Sequence, residues 1–184
     1  MTDPEFALID GIVAGNQQGY AELVNRYKNY AFTLANKILG NRAEAEEAAQ
    51  DAFIKAYHHL GAFKRDSRFS TWLYRIVFNT AISYKRKQKG HHQSIESAII
   101  EYQAEDTGML ERQDKKKYLD KAINQLSEAD KIAITLFYLQ EFSLEEIAGI
   151  TGMPANTVKV RIHRARIRLA EELKRLLKKE ALTL

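Results

Sequence analysis

The densest chemical signal in the chain is a run of cations between Ala155 and Lys179. Lys159, Arg161, Arg164, Arg166, Arg168, Lys174, Arg175, Lys178 and Lys179 stand against Glu171 and Glu172 alone, a net +7. Val158, Ile162, Ala165 and Leu169 recur within it at steps of four, three and four, the buried stripe of an amphipathic helix. Of the residues left outside, Asn156, Lys159, His163 and Arg164 lie near the helix start and suit base edges. Thr157, Arg161, Arg166 and Arg168 suit phosphates. Just upstream, Ser143-Leu144-Glu145-Glu146 has a capping-box pattern, a serine with an acid three residues later. Thr151-Gly152-Met153 reads as a tight turn, and Pro154 fits the first turn of a following helix. Helix, three-residue turn and helix is the arrangement that seats a second helix in a DNA major groove. A solvated basic helix on an ordinary bundle is the plain alternative, and the capping box, the turn glycine and the unopposed arginines weigh against it.

A second basic block, Lys64 to Lys89, holds eight cations against Asp66, again a net +7. It differs by interleaving rings: Arg68, Phe69, Trp72, Tyr74, Arg75, Phe78, Asn79 and Tyr84. Cations with aromatic platforms suit single-stranded nucleic acid, because every base has a π face. Any one ring fits a core equally well; the signal is the combination. Before this block, Glu44, Glu46, Glu47, Gln50 and Asp51 cluster. They read either as a docking face for a basic protein or as solvated acids near a helix start. Catalytic chemistry finds little support. Cysteine is absent, no Gly-rich phosphate loop is present, and the neighbouring pairs His58-His59 and His91-His92 lack carboxylates at ligand spacing. No metal and no cofactor is expected.

These residues need helices to carry them. Leu23, Tyr27, Tyr30, Leu34 and Ile38 predict one helix face, stopped by Gly40-Asn41. Ala45, Ala49, Ala52, Phe53, Ala56 and Leu60 predict a second helix, closed by Gly61. A third runs from about Phe69 to Lys89 with Leu73, Ile76, Val77, Thr80 and Tyr84 inward, and a weaker one covers Phe6 to Ala14. Gly90 to Gln113 carries five acids against Arg112, a net −4, and reads as a tether. Beyond it come Tyr118 to Leu126, Glu128 to Gln140, Leu144 to Ile150 and Pro154 to Lys179. With 184 residues, only two prolines and nine glycines, the expected class is all-α. Two small helical domains are joined by a flexible linker, the C-terminal one a helix-turn-helix, with boundaries at 1–90, 91–115 and 116–184. No apolar run approaches the roughly 20 residues of a membrane helix, so a cytoplasmic protein without membrane insertion is expected.

The ordered motifs resemble those of a known family. Ala45-Glu46-Glu47-Ala48-Ala49-Gln50-Asp51-Ala52-Phe53-Ile54-Lys55-Ala56-Tyr57 resembles the core-polymerase-binding helix of bacterial sigma factors. Phe69-Ser70-Thr71-Trp72-Leu73-Tyr74-Arg75-Ile76, followed by Asn79, resembles their promoter-melting segment. Leu144-Glu145-Glu146-Ile147-Ala148 and Thr157 to Arg166 resemble their −35-reading domain. Length and order are similar to those of the compact extracytoplasmic-function (ECF, group 4) subfamily of the sigma-70 family. The resemblance implies a partner, core RNA polymerase, met through its β′ clamp helices and β subunit, with Glu47, Gln50 and Asp51 on the clamp. It implies capture of a −10 base by Phe63, Lys64, Arg65, Asp66 and Ser67, with Asn79 beneath and Trp72, Tyr74 and Arg75 nearby. It implies −35 duplex contact by Asn156, Thr157, Lys159, Arg161, His163 and Arg164. Promoter DNA and an anti-sigma factor are the further implied partners. Ser83 and Val160 depart from the family pattern. An ordinary helix-turn-helix regulator would explain Lys159 to Arg168 but not the ring-rich block, and a metal nuclease would need a site that the spacing does not supply.

Overall fold

The computed structural model describes residues 4–91 and 118–181, and all regular structure among them is helical. Helix α1 spans Pro4–Val13 and α2 Gln17–Leu39. Asn16 caps α2 by accepting the Gly19 N–H at 3.4 Å. Gly40 ends it at φ 70°, a conformation that costs a residue with a Cβ about 1–2 kcal/mol. Asn41 at once caps α3, Arg42–His59, by accepting the Glu44 N–H at 3.2 Å. The predicted stop is thus two caps back to back. A 3-10 turn, Leu60–Ala62, follows, so Leu60 is buried just past α3 rather than in it. Helix α4 is Phe69–His91.

The alanines of α3 explain how three helices fit one core. Ala45, Ala48, Ala49, Ala52 and Ala56 are buried and let α2 and α4 approach closely. On α2 the inner stripe is Leu23, Ala31, Leu34, Ala35 and Ile38. Tyr30, expected on that face, is 48% exposed. Ala31 takes the place beside it, because the packed stripe follows the small residues that permit close contact.

In the second half, residues 118–124 form α5, followed by α6 at Glu128–Leu139, α7 at Leu144–Thr151 and α8 at Ala155–Ala181. Ser127 caps α6, and Ser143 with Glu146 forms the predicted capping box on α7, the two reciprocal bonds being 3.1 and 2.9 Å. Gly152 closes α7 at φ 75°. The Pro154 carbonyl accepts the Val158 N–H at 3.0 Å, so Pro154 caps α8 from just outside its first turn. Helix α8 packs on α6 and α7 through Val158, Ile162 and Ala165.

The two halves pack on one another. Helix α6 lies on α2 and α7 on α4. Ile132, Leu136, Phe142, Ile147, Ile150 and Val158 join the same hydrophobic core as Leu34, Leu73 and Val77. The tether read from Gly90 to Gln113 falls almost wholly outside the described residues.

Candidate polymerase and nucleic-acid interfaces

Helix α3 turns its alanines inward, so its acids must face out. Glu46, Glu47 and Gln50 are exposed, and Ile54 and Tyr57 stand exposed on the same side. Residues 47, 50, 54 and 57 follow helical spacing, giving one strip that is polar at Glu47 and Gln50, made acidic by Glu46 and Asp51 beside them, and apolar at Ile54 and Tyr57. Sequence periodicity could have found Ile54 and Tyr57, since they fall off the alanine stripe. Asp51 is half-buried and accepts the Tyr84 hydroxyl at 2.6 Å, tying α3 to α4. That bond, with burial and nearby Glu47 adding, pushes the Tyr84 phenol well above its ordinary value. Arg42 pairs with Glu46 at 2.8 Å.

The basic aromatic block divides by face. Phe63 is buried against Phe6, Phe69 and Trp72, with ring centroids at 6.1, 5.8 and 5.2 Å. Phe69 and Tyr74 are each 1% exposed. The row of stacking platforms expected from the ring pattern is therefore split: Phe69 and Tyr74 are core, while Trp72 is half-exposed at the rim of the short loop and Phe78 and Tyr84 are half-buried further along α4. Lys64, Arg65, Asp66 and Ser67 remain exposed in the loop, as do Arg75 and Asn79 on α4. Arg68, Trp72, Arg75 and Asn79 follow helical spacing along one edge of the helix. Arg65 holds φ 62°, its guanidinium paired with Asp10 and lying 5.9 Å from the Phe6 ring. This fixes the loop against α1.

Tyr74 has a second neighbour. Its ring meets Phe142, from the other half, at 5.3 Å. Its hydroxyl is buried without a partner among the described residues, and burial raises its pKa strongly. Beside it, Thr71 donates to Glu146 Oε1 at 2.9 Å, and Arg68 approaches the same oxygen at 3.5 Å. Glu146 thus closes its own capping box and grips α4. Lys37 pairs with Asp120 at 3.2 Å, and Lys85 with Glu128. The start of α4, with Arg68 just before it, and the first helix of the helix-turn-helix are in direct contact, which the sequence did not reveal.

On α8, Asn156, Lys159, His163, Arg164 and Arg166 are exposed and Thr157 is half-buried. Val160 and Ile167 are exposed among them. Arg161 departs from this row: it turns toward α6, where Asp130 accepts from Arg161 Nη1 at 3.0 Å and from Arg168 Nη1 at 3.1 Å. The sequence carried a sign of Asp130, which follows Ser127 at capping-box spacing. Among the described residues no group of His, Asp and Glu could hold a metal, and no helix is long and apolar enough to cross a membrane.

A capped helix-turn-helix with an open cationic face, joined to a basic helix backed by an acidic strip, defines a DNA-binding transcription protein. The family model of Sigma-70 region 2 matches residues 23–91, and that of Sigma-70 region 4 matches residues 116–169. ECF RNA polymerase sigma factor SigW of Bacillus subtilis is 35% identical over 177 residues, covering 90% of this chain and 95% of that protein. ECF RNA polymerase sigma-E factor of Escherichia coli K12 is 34% identical over 86% of this chain and 88% of its own. In a co-crystal structure of sigma factor RpoE with anti-sigma factor NepR from Bartonella quintana, the matching chain is 30% identical, with a TM-score of 0.70 over 84% of this chain and 96% of that one. The chain belongs to the ECF RNA polymerase sigma factors of the sigma-70 family. It carries the two regions, 2 and 4, by which such initiation factors bind polymerase and recognise promoters.

Proposed function

We propose that this sigma factor reads a −35 duplex with α8 and opens and holds a −10 strand with the α4 edge and its loop. The observation that carries this reading is the exposed row Asn156, Lys159, His163 and Arg164 at the start of a helix fixed by a capped turn. Side chains at the start of such a helix reach base edges in the major groove, and a bidentate cation on guanine discriminates by about 1–3 kcal/mol per base pair. The −10 end works by another principle. Disrupting a base step costs a few kcal/mol, and a strand held by Arg75, Asn79 and the Lys64–Ser67 loop, with one base against Trp72, offsets that cost. A stacked base contributes about 1–3 kcal/mol.

The acidic strip Glu47, Gln50 and Asp51 is the surface offered to the clamp helices of the polymerase β′ subunit, with region 4 on the β side. Asp51 has a double task in this reading, since its bond to Tyr84 also sets α3 against the DNA-facing helix. Contact between α7 and α4 covers Thr71 and Tyr74, so the halves separate when each meets its promoter element. An anti-sigma factor, as RpoE has in NepR, would act by keeping the regions from polymerase. Work on DNA within polymerase places the protein in the cytoplasm.

Transcription with purified core polymerase and a randomised promoter library tests this. The chain should confer start sites sharing two spaced elements. R164A and K159A should relax the upstream element, and exchange of the Phe63–Ser67 loop should alter the downstream one. Start sites that ignore both changes would refute the assignment.

A further inference from the structure

Two arginines of the duplex-reading helix are already engaged, and by one carboxylate. Asp130 is 4% exposed, and its two oxygens accept separately from Arg161 at 3.0 Å and Arg168 at 3.1 Å. It stands three residues after Ser127, whose side-chain oxygen accepts the Asp130 N–H at 3.3 Å. An acid at that position commonly folds back on the cap residue's own N–H, as Glu146 does at Ser143. Asp130 reaches across to α8 instead.

Helical geometry makes the bridge selective. At 100° per residue, positions seven apart differ by about 20°, so Arg161 and Arg168 share one flank of α8, two turns apart. Lys159 and His163 lie on nearly the opposite flank. The bridge ties two heights of that flank to one point on α6, which restrains rolling of α8 on its support.

We infer that Asp130 is a positioning residue for the −35 contact: it withholds Arg161 and Arg168 from the phosphates and fixes the roll of α8 that presents Asn156, Lys159, His163 and Arg164. The inference rests on the reading of α8 as the duplex-facing helix. Its physical core is the burial of the carboxylate. An arginine that left Asp130 for a phosphate would leave a buried anion with half its partners, which is strongly disfavoured. Remove the anion and neither cation keeps an acidic partner among the described residues. Asp130 therefore trades non-specific attraction, which phosphate contacts supply equally to every sequence, for a set angle of the base-reading row.

The test is the salt dependence of binding by the full-length chain to a short mixed-sequence B-form duplex, followed by fluorescence anisotropy. Each phosphate contact contributes about 0.9 to the slope of log K against log salt. D130N, which keeps an acceptor oxygen but no charge, should bind this duplex more tightly at low salt, with a slope steeper by about 0.9–1.8. R168Q alone, at an exposed position, should leave the slope unchanged. The double variant should lose about 0.9 of the steepening. A merely structural Asp130 would weaken binding without steepening the slope, and that result overturns the inference. So does a slope that R168Q by itself flattens by about 0.9, which decides the matter even if D130N does not fold. A wild-type chain that starts transcription at selected sites yet shows either result refutes only the role of Asp130. Failure to direct transcription refutes the reading beneath it.

Discussion

Replacing Thr71 by valine should loosen the contact between the two halves while sparing both. Thr71 is 8% exposed, and its hydroxyl gives Glu146 one of three donors, the others being the Ser143 N–H and Arg68. Valine keeps the shape and removes only that donor. A hydrogen bond to a charged group contributes about 1.5–3 kcal/mol. Glu146 retains two partners and partial access to water, so the lower end applies, about 1.5 kcal/mol, or roughly tenfold in the ratio of separated to packed molecules. The chain has no cysteine, so cysteines placed at Asn29 and Lys174, both exposed, accept a dye pair without competition. Single-molecule energy transfer should then show the low-transfer population rise about tenfold relative to the packed one, with helical content unchanged. S143A is the control, because it weakens the α7 cap by about 1 kcal/mol yet leaves the Thr71 bond in place. An unchanged distance distribution in T71V would refute the claim that Glu146 joins the halves. A change in S143A equal to that in T71V would show that cap strength, not the bond, sets the distance.

Lys131 should behave oppositely. Burial, with Lys37 and Lys85 nearby, lowers its pKa from the usual 10.5, while Glu128 acts against this. The packed state thus binds fewer protons than the separated one. Its cost is fully present at neutral pH and relieved as pH rises through the lowered value toward 10.5. K131M should favour packing by about 0.5–1 kcal/mol, the range of partly exposed charge pairs, and should flatten the alkaline part of a pH titration of the energy-transfer signal. G152A should destabilise the helix-turn-helix by about 1–2 kcal/mol, read as a lower melting temperature, since its φ of 75° suits only glycine well. Y84F should cost about 1.5–3 kcal/mol by stranding Asp51 without its donor, visible in denaturant unfolding.

What was legible in the sequence follows from range. Caps and turns are local, so Ser143, Glu146, Gly152 and the Gly40-Asn41 pair declared themselves by type and spacing. The stripe of α8 did so too, because four apolar positions at helical spacing leave one choice of inner face. Tyr30 misled because a tyrosine and an alanine compete for the inner place on adjacent positions, and the close approach of α3 selects the alanine. The rings of α4 misled for a related reason. Phe69 and Tyr74, backed by Phe63 from the loop, are hydrophobic volume before they are stacking platforms, and a three-helix core this rich in alanine needs that volume. Asp130 with its two arginines, and Glu146 with Thr71, join residues 31 to 75 positions apart. No periodicity connects such pairs; only the packing of α6 on α8 and of α7 on α4 does.

On the proposed function, the packed arrangement should limit how tightly polymerase is held. If only the separated form engages both the clamp and the β side, the apparent dissociation constant equals the intrinsic one divided by the separated fraction. T71V should therefore lower the apparent constant for core polymerase by up to about tenfold, until most molecules are already separated. D51K should raise it by a different route, by placing a cation in the strip proposed to meet the clamp, and the two changes should combine additively in free energy because Thr71 and Asp51 share no partner in the structure. Isothermal titration of the single and double variants with core polymerase measures this. If T71V separates the halves in the dye experiment but leaves polymerase affinity unchanged, then the packed form binds polymerase as well as the open one does, and the α4–α7 contact shields the promoter-facing residues without governing assembly.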